Sequence, residues 1–363
     1  MKIVILGLTI SSSWGNGHAT LWRGLLREMI KRGHYPVFFE RDVPYYAGQR
    51  DLWDLDGGKL HLYQDWNDDT QALVRRELSD ADVSIVTSYC PDAIAGTAFL
   101  MDSAARLRVF YDLDTPVTLS QLHAGKDVPY IGPRGLQDFD LVLSYTGGKA
   151  LDLLRRELGA RRVAPLYGSV DPTAHFPVEP MPQYMCDVSY MGTYAPDRQA
   201  ALEQLFIQPA RQRPDARFLI GGAQYPQEFP WSPNIYFVRH LPPPEHPAFF
   251  SSSRLTLNVT RQAMAAMGYC PSGRLFEAAA CGVPMLSDWW DGLDEFFKPD
   301  EELLVCRTAD DTLAAMGRQD SELARIARAA RERTLQEHTA QKRVLDFERA
   351  IEAAFSTINC VEA

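Results

Sequence analysis

The six cysteines of this chain, Cys90, Cys186, Cys270, Cys281, Cys306 and Cys360, are scattered, with no CxxC pair and no histidine at ligand spacing. The sequence therefore carries no zinc-finger pattern, and a disulfide scaffold is not expected in 363 residues. Long hydrophobic runs are also missing. The apolar opening Met1-Lys2-Ile3-Val4-Ile5-Leu6-Gly7 is too short to span a membrane and reads as a strand entering a glycine loop rather than as a signal peptide. Cytoplasm is the expected compartment, with no integral membrane segment. Positive charge is in deficit: the formal net charge is −10. That argues against wrapping a nucleic-acid backbone, so no nucleic-acid partner is expected, yet it leaves room for a local basic pocket. The pairs Arg75-Arg76, Arg155-Arg156 and Arg161-Arg162 are too dispersed to form a stripe. No low-complexity tract interrupts the chain.

What is present is a full complement of core residues, 46% hydrophobic against 23% charged. The length exceeds what one hydrophobic core usually supports, so two α/β domains are expected. Lys2–Leu8 reads as a buried parallel strand. Leu21, Trp22, Leu25, Leu26, Met29 and Ile30 then recur at three and four residues, the spacing of one helix face. Tyr35–Glu40 completes a βαβ opening. Further strands are expected at Val83–Thr87, Leu107–Tyr111, Leu141–Tyr145 and Val163–Tyr167. Helices are expected at Thr70–Leu78, Ala93–Ala104 and Gly148–Leu158, and Trp53–Trp66 is read as an excursion on the rim.

Gly168–Pro182 holds four prolines and little periodicity, which suits a linker. A second α/β pattern follows, with strands expected at Asp187–Gly192, Arg217–Gly221, Ile235–Val238, Leu255–Val259, Val283–Ser287 and Leu303–Cys306. Its helices are expected at Arg198–Gln208, Gly273–Cys281, Asp311–Met316 and Ser321–Arg333, before a final amphipathic helix over Thr339–Phe355. The expected division is an N-terminal domain over 1–170, a linker over 171–185, a second domain over 186–337, and a helix and tail over 338–363. Two such halves imply facing parallel sheets with a central cleft, the final helix crossing back to the first half.

The most informative stretch runs from Pro271 to Trp289. Ser272 can cap a helix whose start at Gly273 has no side-chain bulk, so a diphosphate can approach the free backbone N–H groups. Arg274 offers a fork of donors to the same phosphates. Glu277, three residues on, shares a helix face with Arg274, and a carboxylate can accept from both hydroxyls of a ribose. The bland alternative makes Ser272 a simple cap and Glu277 a surface residue.

This stretch resembles the GT-B glycosyltransferases, and within them the CgeB-like group named after spore-maturation proteins. The resemblance extends over nearly the whole chain. Leu166–Pro172 with His175-Phe176-Pro177 is similar to the family's domain-crossing segment, Met191-Gly192-Thr193-Tyr194 to its glycine turn, and Arg331–Thr339 to the CgeB-like C-terminal signature. It implies a two-domain α/β fold and a metal-independent glycosyltransferase, with a UDP- or dTDP-sugar as donor substrate and no prosthetic group. The acceptor would be a small molecule or glycan, and a homodimer is compatible with it. By resemblance Glu277 takes the ribose, and Ser272, Gly273 and Arg274 sit by the phosphates. Gly192 lies at the glycine turn, and Arg198 is either a phosphate partner or a plain surface charge. Many retaining members carry a further Glu eight residues before the ribose Glu. Tyr269 stands there, which leaves retention or inversion open with a lean to inversion.

The first loop, Ser11–Thr20, carries Gly15, Gly17 and His18. Imidazole titrates near neutrality, so His18 can take a proton from an attacking hydroxyl. Inverting GT-B enzymes of several groups place a glycine-preceded His here as catalytic base. His18 could instead bind substrate without proton transfer, or cap its helix. Asp112 and Asp114 in Tyr111–Thr118 alternate onto one side while the strand lasts, and Pro116 is expected to force an extended turn. A carboxylate here, Asp114 foremost, could orient His18 or hold acceptor hydroxyls. A metal reading of Asp-x-Asp lacks further ligands, and no metal site is expected. Glu40-Arg41-Asp42, Ser88-Tyr89-Cys90 and Ser144–Gly148 end strands and are candidate acceptor-side lining. The competing classes are a nucleotide-sugar epimerase or hydrolase, a noncatalytic sugar-nucleotide-binding protein, and an NAD-dependent dehydrogenase, for which the glycine spacing is wrong.

Overall fold

A computed structural model describes residues 1–14 and 17–362, with side chains through Thr357, so Gly15 and the Cys360 side chain lie outside what it describes. The chain divides into two compact units, Met1–Tyr167 with the residues from Ala340 onward, and Gly168–Thr339.

In the first unit seven strands form one parallel sheet: β1 (Lys2–Gly7), β2 (Tyr35–Arg41), β3 (Lys59–Tyr63), β4 (Val83–Thr87), β5 (Leu107–Asp112), β6 (Leu141–Ser144) and β7 (Val163–Pro165). Their spatial order is β3-β2-β1-β4-β5-β6-β7. Alternation along β1 builds two cores. Ile3 and Ile5 pack with Trp22, Leu25, Leu26 and Met29 of helix Gly17–Lys31, and with Val344, Phe347 and Ile351 of the final helix Ala340–Glu362. Val4 and Leu6 face the opposite core with Val37, Phe39, Val74 and Val86. Both faces are covered, so the strands read as continuous apolar runs. The final helix is thus part of the first unit's core.

The second unit holds β8 (Cys186–Met191), β9 (Phe218–Gly222), β10 (Ile235–Arg239), β11 (Ser253–Asn258), β12 (Met285–Ser287) and β13 (Leu304–Val305), in the order β10-β9-β8-β11-β12-β13, all parallel. Strand order reverses between β1 and β4 in one sheet and between β8 and β11 in the other. Ligands in such sheets bind beyond the carboxyl ends of the strands at these switch points.

Four expectations need correction. The segment Trp53–Trp66 contains β3, an edge strand paired only with β2, whose single neighbour allows the mixed Lys-Leu-His-Leu-Tyr pattern. Pro116 does not force an extended turn. It occupies the first turn of helix Thr115–His123, where no N–H is required. Asp112 and Asp114 do not share a strand face, because β5 ends at Asp112. The helix after Arg198 continues to Gln212, with a π-wound turn over Glu203–Ile207 just ahead of Pro209. A widened turn accommodates a proline that can neither donate nor tolerate the preceding carbonyl.

Candidate functional site

In the second unit helix Gly273–Ala280 follows Ser272, whose hydroxyl accepts from the Arg274 backbone N–H at 3.4 Å. Leu275, Phe276 and Ala278–Ala280 are buried, which leaves Ser272, Gly273, Arg274 and Glu277 as the half-buried polar face. The Arg274 guanidinium reaches Ser272 Oγ at 3.4 Å and has no carboxylate partner among the described residues. Arg198 joins it: burial depresses the Arg198 pKa, and the charges of Arg274 and Arg261 press the same way against Tyr190 and Asp197. Its Nη1 donates to the Thr193 carbonyl at 3.2 Å, and its Nε is buried without a partner. A buried guanidinium crowded by like charge is poorly satisfied by the protein alone and suits a multiply charged anion.

Gly192 directly follows β8. A methyl group there would meet Tyr190 Oη at 2.7 Å, and one on Gly222 would meet the Gly192 carbonyl oxygen at 2.1 Å. Close backbone approach therefore fixes Gly222, while Gly192 is crowded by a side-chain hydroxyl, and Tyr225 Oη donates to the Gly192 carbonyl at 3.0 Å. The loop bearing Arg261 is held by Asp288, which accepts from Thr260 N at 3.0 Å and from Thr260 Oγ1 at 2.9 Å. Burial pushes the Asp288 carboxyl up to about 6. Arg261 also pairs with Asp197 at 3.1 Å. Tyr269 sits at a left-handed φ of 49°, its N–H donating to the Asp291 carbonyl at 2.7 Å. The neighbouring φ of 88° at Gly292 and the close approach of its α-carbon to the Tyr269 ring tie these two loops together.

In the first unit Glu40 corrects the expectation that it lines an acceptor pocket. It is fully buried and accepts from Thr9 Oγ1 at 2.7 Å, Ile10 N at 2.7 Å, Ser11 N at 2.9 Å and Ser11 Oγ at 2.5 Å. One carboxylate thus anchors the loop leading to His18. Asp51 secures the next turn through Ser13 and Arg23. Replacing Glu40 with glutamine turns one accepting oxygen into an amide that faces donors. We expect a loss of about 2–4 kcal/mol of stability, read by urea unfolding.

His18 lies in the first turn of helix Gly17–Lys31, 5.5 Å from the Tyr89 ring between centroids. Tyr89, at φ 62°, donates its hydroxyl to Asp114 Oδ2 at 3.2 Å. Burial lowers the His18 pKa, and the Asp114 carboxylate opposes that shift. The structure therefore brings His18, Tyr89 and Asp114 together beyond β1, β4 and β5.

Asp112 stands behind them, fully buried, its Oδ1 accepting from Asp114 N at 3.1 Å and Thr118 Oγ1 at 3.2 Å. Burial, reinforced by Asp114, raises its carboxyl to about 6 from 3.8. A carboxyl whose folded pKa lies above its unfolded value contributes stability below pH 4, and that contribution is lost as pH rises through about 6. Asp112→Asn is accordingly expected to be more stable than wild type at pH 8 by up to about 3 kcal/mol. The advantage should shrink away between pH 6 and pH 4, as followed by denaturant midpoints.

Among the described residues, the only group of three or more potential metal ligands is His175, His246 and Glu277, whose donor atoms all lie within 4.8 Å of one another. Asp112 and Asp114 belong to no such group. Burial drives the His246 imidazole down to about 4 despite the opposing charge of Glu277.

Two Rossmann-like parallel-sheet domains, with the final helix built into the first, constitute a GT-B fold. Residues 198–349 match the family model described as "Glycosyl transferase-like". No curated protein matches the sequence. Among solved structures, a sucrose-phosphate synthase from Thermosynechococcus elongatus superposes with a TM-score of 0.72 at 13% identity, over 98% of this chain and 100% of that one. An alpha-glucosyltransferase in complex with UDP-glucose and DNA containing an abasic site gives 0.69 at 12% identity, over 97% and 99%. HepE of Anabaena in complex with UDP-glucose gives 0.66 at 15% identity, over 98% and 100%. Among the described residues no helix is long and apolar enough to cross a membrane.

Proposed function

We propose that the protein is a glycosyltransferase that moves a sugar from a nucleotide-diphosphate donor, UDP- or dTDP-linked, to a small-molecule or glycan acceptor. The carrying observation is the half-buried face of helix Gly273–Ala280, with an uncompensated Arg274, the crowded Arg198 and Glu277 in one place. Two of the similar structures were solved with UDP-glucose, which supports this donor class. Arg198, Arg274 and the helix N–H groups take the diphosphate and stabilise the charge that grows on it as the anomeric bond breaks. Glu277 accepts from the ribose hydroxyls, and Gly192 lets the chain pass close by. On the acceptor side His18, kept neutral by burial and positioned with Asp114, removes the hydroxyl proton. No metal enters these steps.

We place the chain in the CgeB-like group on Arg331–Thr339, and in the cytoplasm on the free thiols of its described cysteines. Its acidity argues against a nucleic-acid acceptor, although one similar protein was solved with DNA. Incubation with UDP- and dTDP-sugars, with and without candidate acceptors, tests the reading. Acceptor-dependent release of nucleotide is the expected result. Release equally fast without acceptor would make the protein a hydrolase, and binding without turnover a noncatalytic receptor.

A further inference from the structure

His175 is 4% exposed, and neither of its ring nitrogens has a hydrogen-bond partner. An unpartnered buried polar group costs about 1–3 kcal/mol, so its retention calls for a ligand. The turn that presents it is well fixed, with the N–H groups of Ala174 and His175 both donating to the Asp171 carbonyl at 3.0 Å. His246 approaches from the start of helix His246–Ser251, its ring centroid 6.1 Å from that of His175. Glu277 completes the group from the next helix, within the same 4.8 Å span. None of the three hydrogen-bonds another, so the space at their centre is not closed by mutual contacts.

We propose that His175, His246 and Glu277 form a binding site for a divalent transition-metal ion, zinc by its donor set, and that the ion competes with the nucleotide for Glu277. Two imidazoles and one carboxylate suit zinc with an open fourth position, and they are a poor set for magnesium or calcium. Donors around one tetrahedral zinc at about 2.0–2.1 Å stand roughly 3.3 Å apart, so the side chains need close by at most about 1.5 Å. Glu277 is the single anion of the set, and the charge of Arg274 nearby opposes the ion. A zinc-bound Glu277 no longer offers its oxygens to a ribose. The competition clause rests on the donor-site reading above, whereas the metal site itself does not.

The test uses the full chain stripped with EDTA and titrated with Zn²⁺ by calorimetry, with Co²⁺ as a visible-absorption probe. One ion per chain is expected, with a Co²⁺ spectrum of low coordination number. His175→Ala and His246→Gln should each lower affinity by more than the roughly 10–100-fold that loss of an outer partner costs. Wild type binding no ion, or both folded variants binding as tightly as wild type, overturns the site. UDP or dTDP affinity is then measured in EDTA and at saturating Zn²⁺. Weaker binding with zinc is expected, and unchanged binding overturns the competition. Absence of nucleotide binding in EDTA defeats the donor-site reading and the competition with it, while zinc stoichiometry still decides the metal site.

Discussion

His18→Ala is expected to lower kcat for sugar transfer by roughly 10²–10⁴-fold, the usual worth of a positioned general base, with little change in the affinity for donor nucleotide. The split follows from location. His18 belongs to the first unit's switch point, and the arginines proposed to take the phosphates belong to the second unit. Burial holds the imidazole neutral at physiological pH, the form that can accept a proton. Asp114 pulls in the other direction, so Asp114→Asn should let the His18 pKa fall further. The acid limb of kcat/KM is then expected to move to lower pH, with a smaller loss of kcat than in His18→Ala. A residue that only caps its helix would change thermal stability and leave that limb in place. Normal turnover of folded His18→Ala at saturating substrates would remove it as the base.

How far the sequence led differs between the sheets and the sites. Buried parallel strands announce themselves as apolar runs, so Val83–Thr87 begins and ends where the composition says. β3 was hidden because an edge strand needs only half the apolar content, and helix Thr115–His123 because Pro116 reads as a breaker unless its place in the first turn is known. Ser272, Gly273, Arg274 and Glu277 were legible as a group because they are local in the chain. Their neighbours were not. Arg261, Asp288, His175 and His246 reach the same region from separate strand ends and turns, and only the topology β10-β9-β8-β11-β12-β13 brings those ends together. Glu40 misled for the opposite reason. Its position at the end of a strand suggested acceptor-side lining, whereas the hydroxyls and N–H groups of Thr9–Ser11 form a buried socket for it. The signal was there in the run of hydroxyl residues after β1, without anything in the sequence to say which carboxylate they served.

Glu277→Ala, measured in EDTA so that no metal intervenes, is expected to raise the Kd for UDP or dTDP nucleotide by roughly 30- to 150-fold. That corresponds to about 2–3 kcal/mol for charge-assisted hydrogen bonds lost from a half-buried carboxylate. Ser272, Leu275 and Phe276 hold the helix in place without Glu277, so fold and thermal midpoint should change little. The size of the effect alone does not identify the ribose as the partner. Paired measurements with a 2′,3′-dideoxynucleotide do. If Glu277 accepts from the ribose hydroxyls, wild type loses affinity when they are removed and Glu277→Ala loses almost nothing more, because the two changes delete one interaction. Arg274→Ala should behave differently, weakening the ribo- and dideoxynucleotides alike, since its donors face phosphate. Additive losses for Glu277→Ala and the dideoxy sugar would move Glu277 off the ribose and leave the arginines as the anion site.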